Sequence, residues 1–283
     1  MVGQVYKVHT DSYSVKCNEK FYKLKARGLL KIKSDGISVG DYVEFNDQSI
    51  KSVLSRKNKF IRPNVSNIDL IVAVVSPEPK PDFYLIDKLY VNAVKEGVPF
   101  LIVINKSDID ETLYNEVKEE YKDLDVKILS ICAKNGLGID ELKSLLKSKL
   151  TVLAGQSAVG KTSLVNKMFD LSLKVGDLSD KILRGKHTTT RSEIFEKDGI
   201  KIIDSPGFAV LDALVSANEL AEFYPRYFEF SSMCKFRGCK HISEPECKVK
   251  EMVEKGVLSR KRYERYVEIY KDIANRREIY EKD

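Results

Sequence analysis

Residues 155–162 match the pattern G-x-x-x-x-G-K-[ST], directly after an apolar strand predicted over 149–154 and at the start of a helix predicted over 160–169. Glycines at this spacing let backbone N–H groups and the helix N-terminus face phosphate oxygens. We expect the Lys161 ammonium to contact the β- and γ-phosphates and the Thr162 hydroxyl to bind Mg²⁺. The predicted phosphate-binding residues are Gly155, Gln156, Ser157, Ala158, Val159, Gly160, Lys161, Thr162 and Ser163.

A second segment with magnesium and phosphate chemistry ends the strand predicted over 200–204. Asp204-Ser205-Pro206-Gly207 matches D-x-x-G, in which the carboxylate holds Mg²⁺ through water and the glycine N–H meets the γ-phosphate. Alone, such a segment is more often a simple turn. Beside a phosphate-binding loop, it predicts Asp204 and Gly207 as nucleotide contacts.

The segment Asn105-Lys106-Ser107-Asp108 follows directly after the apolar strand residues Phe100–Ile104 and bears on the choice of base. The Asp108 carboxylate can accept two hydrogen bonds from guanine, from the ring N–H and the 2-amino group, which adenine does not offer in that arrangement. A site built to pair such groups rejects the analogue that lacks them. We therefore predict GTP rather than ATP, with the Lys106 stem along the base and Asn105 tying this loop to the phosphate loop.

A loop after the strand predicted over 126–132 completes the predicted base site. Its Ala133 backbone N–H is placed to contact the guanine oxygen, and Lys134 follows it. Taken alone, this segment would be only a loop.

The cluster Cys234-x₄-Cys239-x-His241-x₅-Cys247 offers three thiolates and an imidazole within 14 residues. This donor set suits tetrahedral Zn²⁺ in a closed, structural shell. The alternative is three reduced cysteines near a surface histidine. We expect one zinc ion, bound by Cys234, Cys239, His241 and Cys247, and no chemistry at the metal.

These residues lie on a chain that divides into three predicted domains. Residues 1–63 contain five short alternating strands, the pattern of an OB-like β-barrel. Residues 64–212 alternate strands and helices, as expected of an α/β P-loop domain with a mainly parallel sheet. Residues 213–283 are predicted to be mainly helical around the Cys/His cluster.

The base-reading segments at 105–108 and 130–134 precede the phosphate segments at 155–162 and 204–207, the reverse of the usual GTPase order. The domain is therefore predicted to be circularly permuted, which a fold tolerates when its original termini lie close together. The segment after Gly207 then leads directly into the C-terminal domain.

With Gly185-Lys186-His187-Thr188-Thr189-Thr190, these motifs resemble, in order and content, the bacterial ribosome-small-subunit-dependent GTPase A family (RsgA). The resemblance spans all three domains. It implies an OB barrel, a permuted GTPase domain, a zinc-containing C-terminal domain and activity stimulated by the small ribosomal subunit during late assembly. Ala158 departs from the family, in which many members carry glycine.

Catalysis must proceed without the usual glutamine, because Phe208 occupies the position where many GTPases place it. His187 is the best candidate in this chain to orient the attacking water, and the family's switch-I histidine matches it. Its alternative is an exposed loop histidine with no role. Among the three neighbouring threonines, Thr189 matches best the family position that binds Mg²⁺, although all three could equally begin the next strand.

Charge and composition constrain the partners. Residues 1–66 carry 13 Lys/Arg and 6 Asp/Glu, an excess that fits RNA or a solvated lysine-rich surface. The longest apolar runs are too short to cross a bilayer and the N-terminus has no export signal, so we expect a cytoplasmic monomer without membrane contact. Its predicted partners are GTP or GDP, the small subunit and its 16S rRNA. A GTP-gated RNA-binding protein, in which hydrolysis is incidental, is the alternative.

Overall fold

The computed structural model describes residues 1–26, 36–61, 63–171, 192–204 and 215–280. At the N-terminus five strands close into a barrel in the order β1-β2-β3-β5-β4, with β4 pairing back onto β1. Residues at alternating positions, such as Val5, Val15 and Val43, fill its interior. The OB-like barrel predicted from the sequence is confirmed. Its strands are β1 (Val2–Val8), β2 (Tyr13–Cys17), β3 (Lys20–Ala26), β4 (Tyr42–Phe45) and β5 (Ser49–Val53).

The segment between the barrel and the central domain contains a short hairpin and an ion pair to the barrel. β6 (Lys59–Phe60) pairs with β7 (Val65–Ser66) as a short hairpin. Arg56 forms an ion pair with the buried Asp41, with its Nε 2.7 Å from Oδ1. The predicted domain boundary at 63/64 falls in the turn of this hairpin.

A sheet in the order β10-β9-β8-β11-β13-β12 forms the centre of the molecule within the described ranges. All neighbouring pairs are parallel except β12 with β13. Because β11 lies between β8 and β13, the strand that leads into residues 155–162 is central although three strands of this sheet precede it in the chain. The strands are β8 (Leu70–Val75), β9 (Phe100–Ile104), β10 (Lys127–Ser130), β11 (Leu150–Ala154), β12 (Glu193–Lys197) and β13 (Ile200–Asp204).

Helices cover both faces of this sheet, and each face has its own apolar core. The helices are amphipathic: α3, for example, buries Ile139, Leu142 and Leu146 and begins after Gly138, whose φ is 72°. Because the strands are parallel, the loops at their carboxyl ends meet at one edge of the sheet. The helices are α1 (Phe83–Lys95), α2 (Leu113–Glu120), α3 (Ile139–Leu146) and α4 (Lys161–Phe169).

The barrel is attached to the central sheet through β12, the strand that follows residues 185–191 in the sequence. β1 pairs antiparallel with β12 at Lys7 and Glu193, whose side chains also form an ion pair of 2.5 Å. Glu196 accepts hydrogen bonds from the Tyr6 hydroxyl and, at 2.8 Å, from Lys16. Partial burial disfavours the charged carboxylate, but these two donors outweigh it and lower the pKa of Glu196.

The C-terminal part is helical, as predicted, with a 3-10 turn at Leu220–Phe223, α5 (Pro225–Ser231), α6 (Lys248–Glu254) and the long α7 (Arg260–Tyr280). None of the helices in the described ranges has the length and apolar character needed to cross a bilayer.

Helix α7 holds the C-terminal helices against the central domain through a buried arginine. Arg262 is 1% exposed, with Nη1 3.1 Å from Asp123 and Nε 3.6 Å from Asp87. Its guanidinium lies 4.7 Å from the centre of the Tyr224 ring. Burial disfavours the charged guanidinium, but the two aspartates outweigh it and raise the pKa of Arg262. Arg265 adds a second contact, 2.5 Å from Asp87.

We expect Arg262→Ala to lower the free energy of unfolding by about 3–5 kcal/mol, because it leaves the buried Asp123 without its guanidinium partner. Urea denaturation followed by circular dichroism measures this loss. Arg260→Ala, at an exposed position of the same helix, should stay within about 0.5 kcal/mol of the wild type. A loss below about 1 kcal/mol for Arg262→Ala would show that the ion pairs do not hold this interface.

Candidate nucleotide site and metal centre

The loop from Gly155 to Lys161 packs closely against strand β8 and against the loop after β9. A Cβ on Gly155 would lie 2.2 Å from the Val74 carbonyl oxygen, and one on Gly160 would lie 2.4 Å from Asn105 Nδ2. Both glycines also have positive φ, at 138° and 93°. These two positions therefore require glycine for space as well as for backbone conformation.

Ala158 adopts a left-handed conformation, with φ at 66°. A non-glycine residue pays about 1 kcal/mol for this conformation. The small side chain is exposed, so alanine fits at this position without a clash.

Asn105 joins three loops that are far apart in the sequence. Its Nδ2 donates to the Val159 carbonyl at 3.0 Å, and its Oδ1 accepts from the Ala133 N–H at 3.1 Å. The side chain is buried, with 2% exposure. The segment predicted to read the base thus lies in contact with the predicted phosphate loop, and the Ala133 N–H, predicted to meet guanine, bonds to Asn105 in this structure.

Two of the three lysines predicted to contact the nucleotide, Lys106 and Lys161, lie at the same loop. Lys106 Nζ donates to the Ala158 carbonyl at 2.9 Å and to the Glu78 carbonyl at 2.5 Å. Lys161 Nζ donates to the carbonyls of Gly155 and Gln156, each at 2.7 Å. Both ammonium groups therefore lie at the loop that contains Gly155 and Gly160, where their positive charge would attract an anion.

Asp108 is exposed beside this loop, at the end where the base is predicted. The thiol of Cys132 donates to its Oδ1 at 3.1 Å. This hydrogen bond is the main cause of a lowered pKa of Asp108, to which the nearby positive charge of Lys134 adds. The carboxylate is therefore ionised at neutral pH, the form that accepts from two N–H donors.

The remaining predicted nucleotide residues that the structure describes lie in the phosphate loop, in the first turn of α4 and at the end of β13. Ser157 and Ser163 are exposed, and Thr162 is half-buried in the first turn of α4. Asp204 ends β13 beside β11, although only its backbone is described. Its backbone therefore lies at the sheet edge that carries the phosphate loop. His187, Thr189 and Gly207 lie outside the described residues.

Two residues that contact this site, Asp82 and Cys132, were not predicted from the sequence. The Asp82 N–H donates to the Gln156 side chain at 3.0 Å, and the Asp82 carboxylate caps α1 by accepting from the Leu85 N–H. Cys132, which the sequence analysis did not assign to the site, bonds to Asp108. Its position directly before Ala133 is the one signal that could have identified it.

The predicted metal ligands come together in the C-terminal part. One ligand atom from each of Cys234, Cys239, His241 and Cys247 lies within 4.8 Å of the others. The Cys234 and Cys247 sulfurs are 3.9 Å apart, and His241 Nδ1 is 3.6 Å and 3.3 Å from them. Tetrahedral bonds of about 2.3 Å to sulfur give S–S separations of about 3.8 Å, so these distances fit a four-coordinate ion.

The chain around the cluster is held by hydrogen bonds that fix its backbone. Tyr263 and Tyr266, both on α7, donate to the carbonyls of His241 and Lys240 at 2.8 Å. The Glu244 carboxylate accepts from two backbone N–H groups, of Lys240 and Ile242. The segment around Lys240 and His241 is therefore joined to α7 by hydrogen bonds.

Protonation in this cluster follows from burial. Desolvation lowers the pKa of His241 to about 4 and raises the pKa of the Cys239 thiol to about 12. The imidazole is therefore neutral, the form that coordinates, whereas each thiol releases its proton to a bound metal. His241 Nε2, the nitrogen away from the sulfurs, is buried without a hydrogen-bond partner.

Two family models together match residues 2–214 of the chain. The model of the RsgA N-terminal domain matches residues 2–52, and that of the RsgA GTPase matches residues 53–214. The chain belongs to the RsgA GTPase family. This membership confirms that the protein is a GTPase with a circularly permuted GTPase domain. A Cys₃His cluster able to hold a metal ion follows the GTPase domain.

Relatives and solved structures support the same family. A small ribosomal subunit biogenesis GTPase RsgA of Agathobacter rectalis is 38% identical, over 90% of this chain and 88% of its own. That of Thermotoga maritima is 37% identical over 97% of both chains. The crystal structure of YjeQ from Thermotoga maritima has a TM-score of 0.82 and 34% identity, covering 96% of this chain and 98% of that one. The structure of YloQ, titled a circularly permuted GTPase, has a TM-score of 0.76 and 28% identity, covering 97% and 95%.

We expect Asn105→Ala to weaken GDP binding about tenfold or more, because it leaves the Val159 carbonyl and the Ala133 N–H without their partner. Fluorescence anisotropy with a labelled GDP measures the dissociation constant. Asn115→Ala, at an exposed position on α2, is the matched control and should bind as the wild type does. Equal affinities for both variants would contradict the role of the bridge.

We expect the purified chain to carry one metal ion per molecule, held by the Cys₃His cluster. Mass spectrometry of the metal content should show that Cys247→Ser loses most of this ion, because a closed shell needs all four donors. Cys17→Ser, in the barrel, should retain it. Full metal content in Cys247→Ser would place the ion elsewhere.

Proposed function

We propose that this chain is a GTP-hydrolysing assembly factor of the small ribosomal subunit, which binds 16S rRNA and is stimulated by the subunit in late maturation. The observation that supports the proposal is the pair of Asn105 hydrogen bonds, which tie the segment that contains Asp108, our candidate guanine acceptor, to the loop at Val159. The relatives' names supply the setting, since they are small ribosomal subunit biogenesis GTPases.

The roles of the nucleotide residues follow from their positions. We assign the base to Asp108 and Lys106, with the neighbouring loop at Ala133 and Lys134 closing the base end. We assign the triphosphate to residues 155–163, whose N–H groups and Lys161 ammonium face negative charge. Gly207 would contact the γ-phosphate.

Oxygen donors suited to Mg²⁺ occur at the phosphate end. The hydroxyl of Thr162 lies in the first turn of α4, and Asp204 ends the strand beside the phosphate loop. These are ligands that Mg²⁺ prefers, together with phosphate oxygens. We propose that Thr162, Thr189 and Asp204 hold Mg²⁺, which when bound offsets the negative charge of the phosphates.

Hydrolysis needs a group that orients water, and Phe208 cannot supply it. We assign this role to His187, because a neutral imidazole can orient water and accept a proton from it. Without His187 acting on the attacking water, we expect turnover of about 10⁻⁴ to 10⁻² s⁻¹. Stimulation by the subunit would then act through the position of the His187 imidazole relative to this water.

The N-terminal barrel and the C-terminal helical part would contact the small ribosomal subunit. The barrel segment 1–66 has a net charge of +7, and its attachment to β12 connects it to the strand after His187. We propose that the metal is Zn²⁺ with a structural role, because three thiolates and an imidazole leave no open position. The protein would act as a monomer in the cytoplasm, where small subunits are assembled.

The second candidate is a GTP-gated RNA-binding protein in which hydrolysis is incidental. The observation that favours it is Phe208, at the position where many GTPases carry glutamine.

Turnover with and without purified small subunits tests the proposal. We expect stimulation of at least about tenfold, and we expect His187→Ala to lower the stimulated rate about 10²-fold while GDP affinity is unchanged. His9→Ala, in the barrel, is the matched histidine control. No stimulation of the wild type would remove the ribosome from the proposal, and full stimulation of His187→Ala would favour the RNA-binding alternative.

A further inference from the structure

One thiol outside the metal cluster contacts the predicted guanine-binding carboxylate. Cys132 is 1% exposed, and its Sγ lies 3.1 Å from Asp108 Oδ1. A thiol is a weak donor, but here its acceptor is an ionised carboxylate, which strengthens the bond. The contact joins residues 24 positions apart, on the loops after two different strands.

The backbone fixes the position of this thiol. The Cys132 N–H donates to the Leu137 carbonyl at 3.0 Å, and its carbonyl accepts from Gly136 at 2.8 Å. The next residue, Ala133, is bonded to the buried Asn105. Cys132 is therefore a rigid donor, held by the same loop that is tied to the phosphate loop.

Asp108 itself is on the surface. An exposed carboxylate samples several rotamers, and fixing one of them on binding lowers affinity by about two- to tenfold. A rigid donor at Oδ1 selects one orientation before the ligand arrives. Oδ1 retains a second lone pair, so the bond to sulfur leaves the carboxylate able to accept two further donors.

We propose that Cys132 is a positioning residue for guanine recognition, which holds the Asp108 carboxylate so that it meets the ring N–H and the 2-amino group. This inference rests on the guanine site proposed above. It assigns base selectivity in part to a residue that does not touch the base.

The test compares GDP with IDP, whose hypoxanthine base lacks the 2-amino group. In the wild type, GDP should bind more than about tenfold more tightly than IDP, because its 2-amino group reaches a charged acceptor. In Cys132→Ala the dissociation constant for GDP should rise about fivefold and that for IDP less than twofold. A merely structural defect would weaken both nucleotides equally and leave their ratio unchanged.

Three further variants make the result specific. Cys132→Ser keeps a donor and should restore the wild-type ratio, whereas Cys17→Ala, in the barrel, should not change it. In an Asp108→Ala background, Cys132→Ala should have no additional effect on the ratio. An unchanged GDP to IDP ratio in Cys132→Ala overturns the inference, while a wild-type ratio near one would instead overturn the guanine site itself.

Discussion

The candidate nucleotide site depends on two hydrogen bonds of the buried Asn105 side chain, which join segments that are far apart in the sequence. Asn105 bonds to the loop at Val159 and to the loop at Ala133. Both partners are backbone groups in a buried environment, where an unpaired group costs about 1–3 kcal/mol. The close approach also requires glycine at position 160, where a Cβ would lie 2.4 Å from the amide. The base end and the phosphate end are thereby held at a fixed separation.

The two outer modules attach to the central domain by charged contacts with different degrees of burial. The barrel joins β12 through partly exposed pairs such as Lys7 with Glu193. The C-terminal helices dock through Arg262, which is buried against Asp87 and Asp123. Screening by water weakens the first kind of pair far more than the second. The contact between the barrel and β12 is therefore weakened more readily by salt than the contact made by Arg262. β12 is also the strand that follows the segment containing His187 in the sequence.

The sequence predicted the elements that have a strong local signal. Period-two alternation identified the barrel strands, and the apolar run before Gly155 identified β11 as the strand of the phosphate loop. Motif spacing predicted that Cys234, Cys239, His241 and Cys247 act together, and the fold brings these four residues into one cluster that could hold a metal ion. The order of motifs predicted the circular permutation. In agreement with it, β11, which leads into the phosphate loop, lies in the middle of the sheet although it is not the first of these strands in the chain.

Features that depend on tertiary contacts could not be read in this way. The β6 and β7 hairpin has two-residue strands, too short to show any periodicity. Arg262 appears in the sequence as one more charge on a basic helix, and only its packing against Tyr224 and two aspartates reveals its burial. The bond between Cys132 and Asp108 joins loops whose proximity depends on the pairing of β9 with β10.

A crystal structure of the chain with GDP and Mg²⁺ tests the central claim most directly, because it locates both ends of one nucleotide. The account predicts the guanine ring against the Asp108 carboxylate and the β-phosphate within the loop from Gly155 to Lys161. A nucleotide whose phosphates occupy that loop while its base lies away from Asp108 would contradict it.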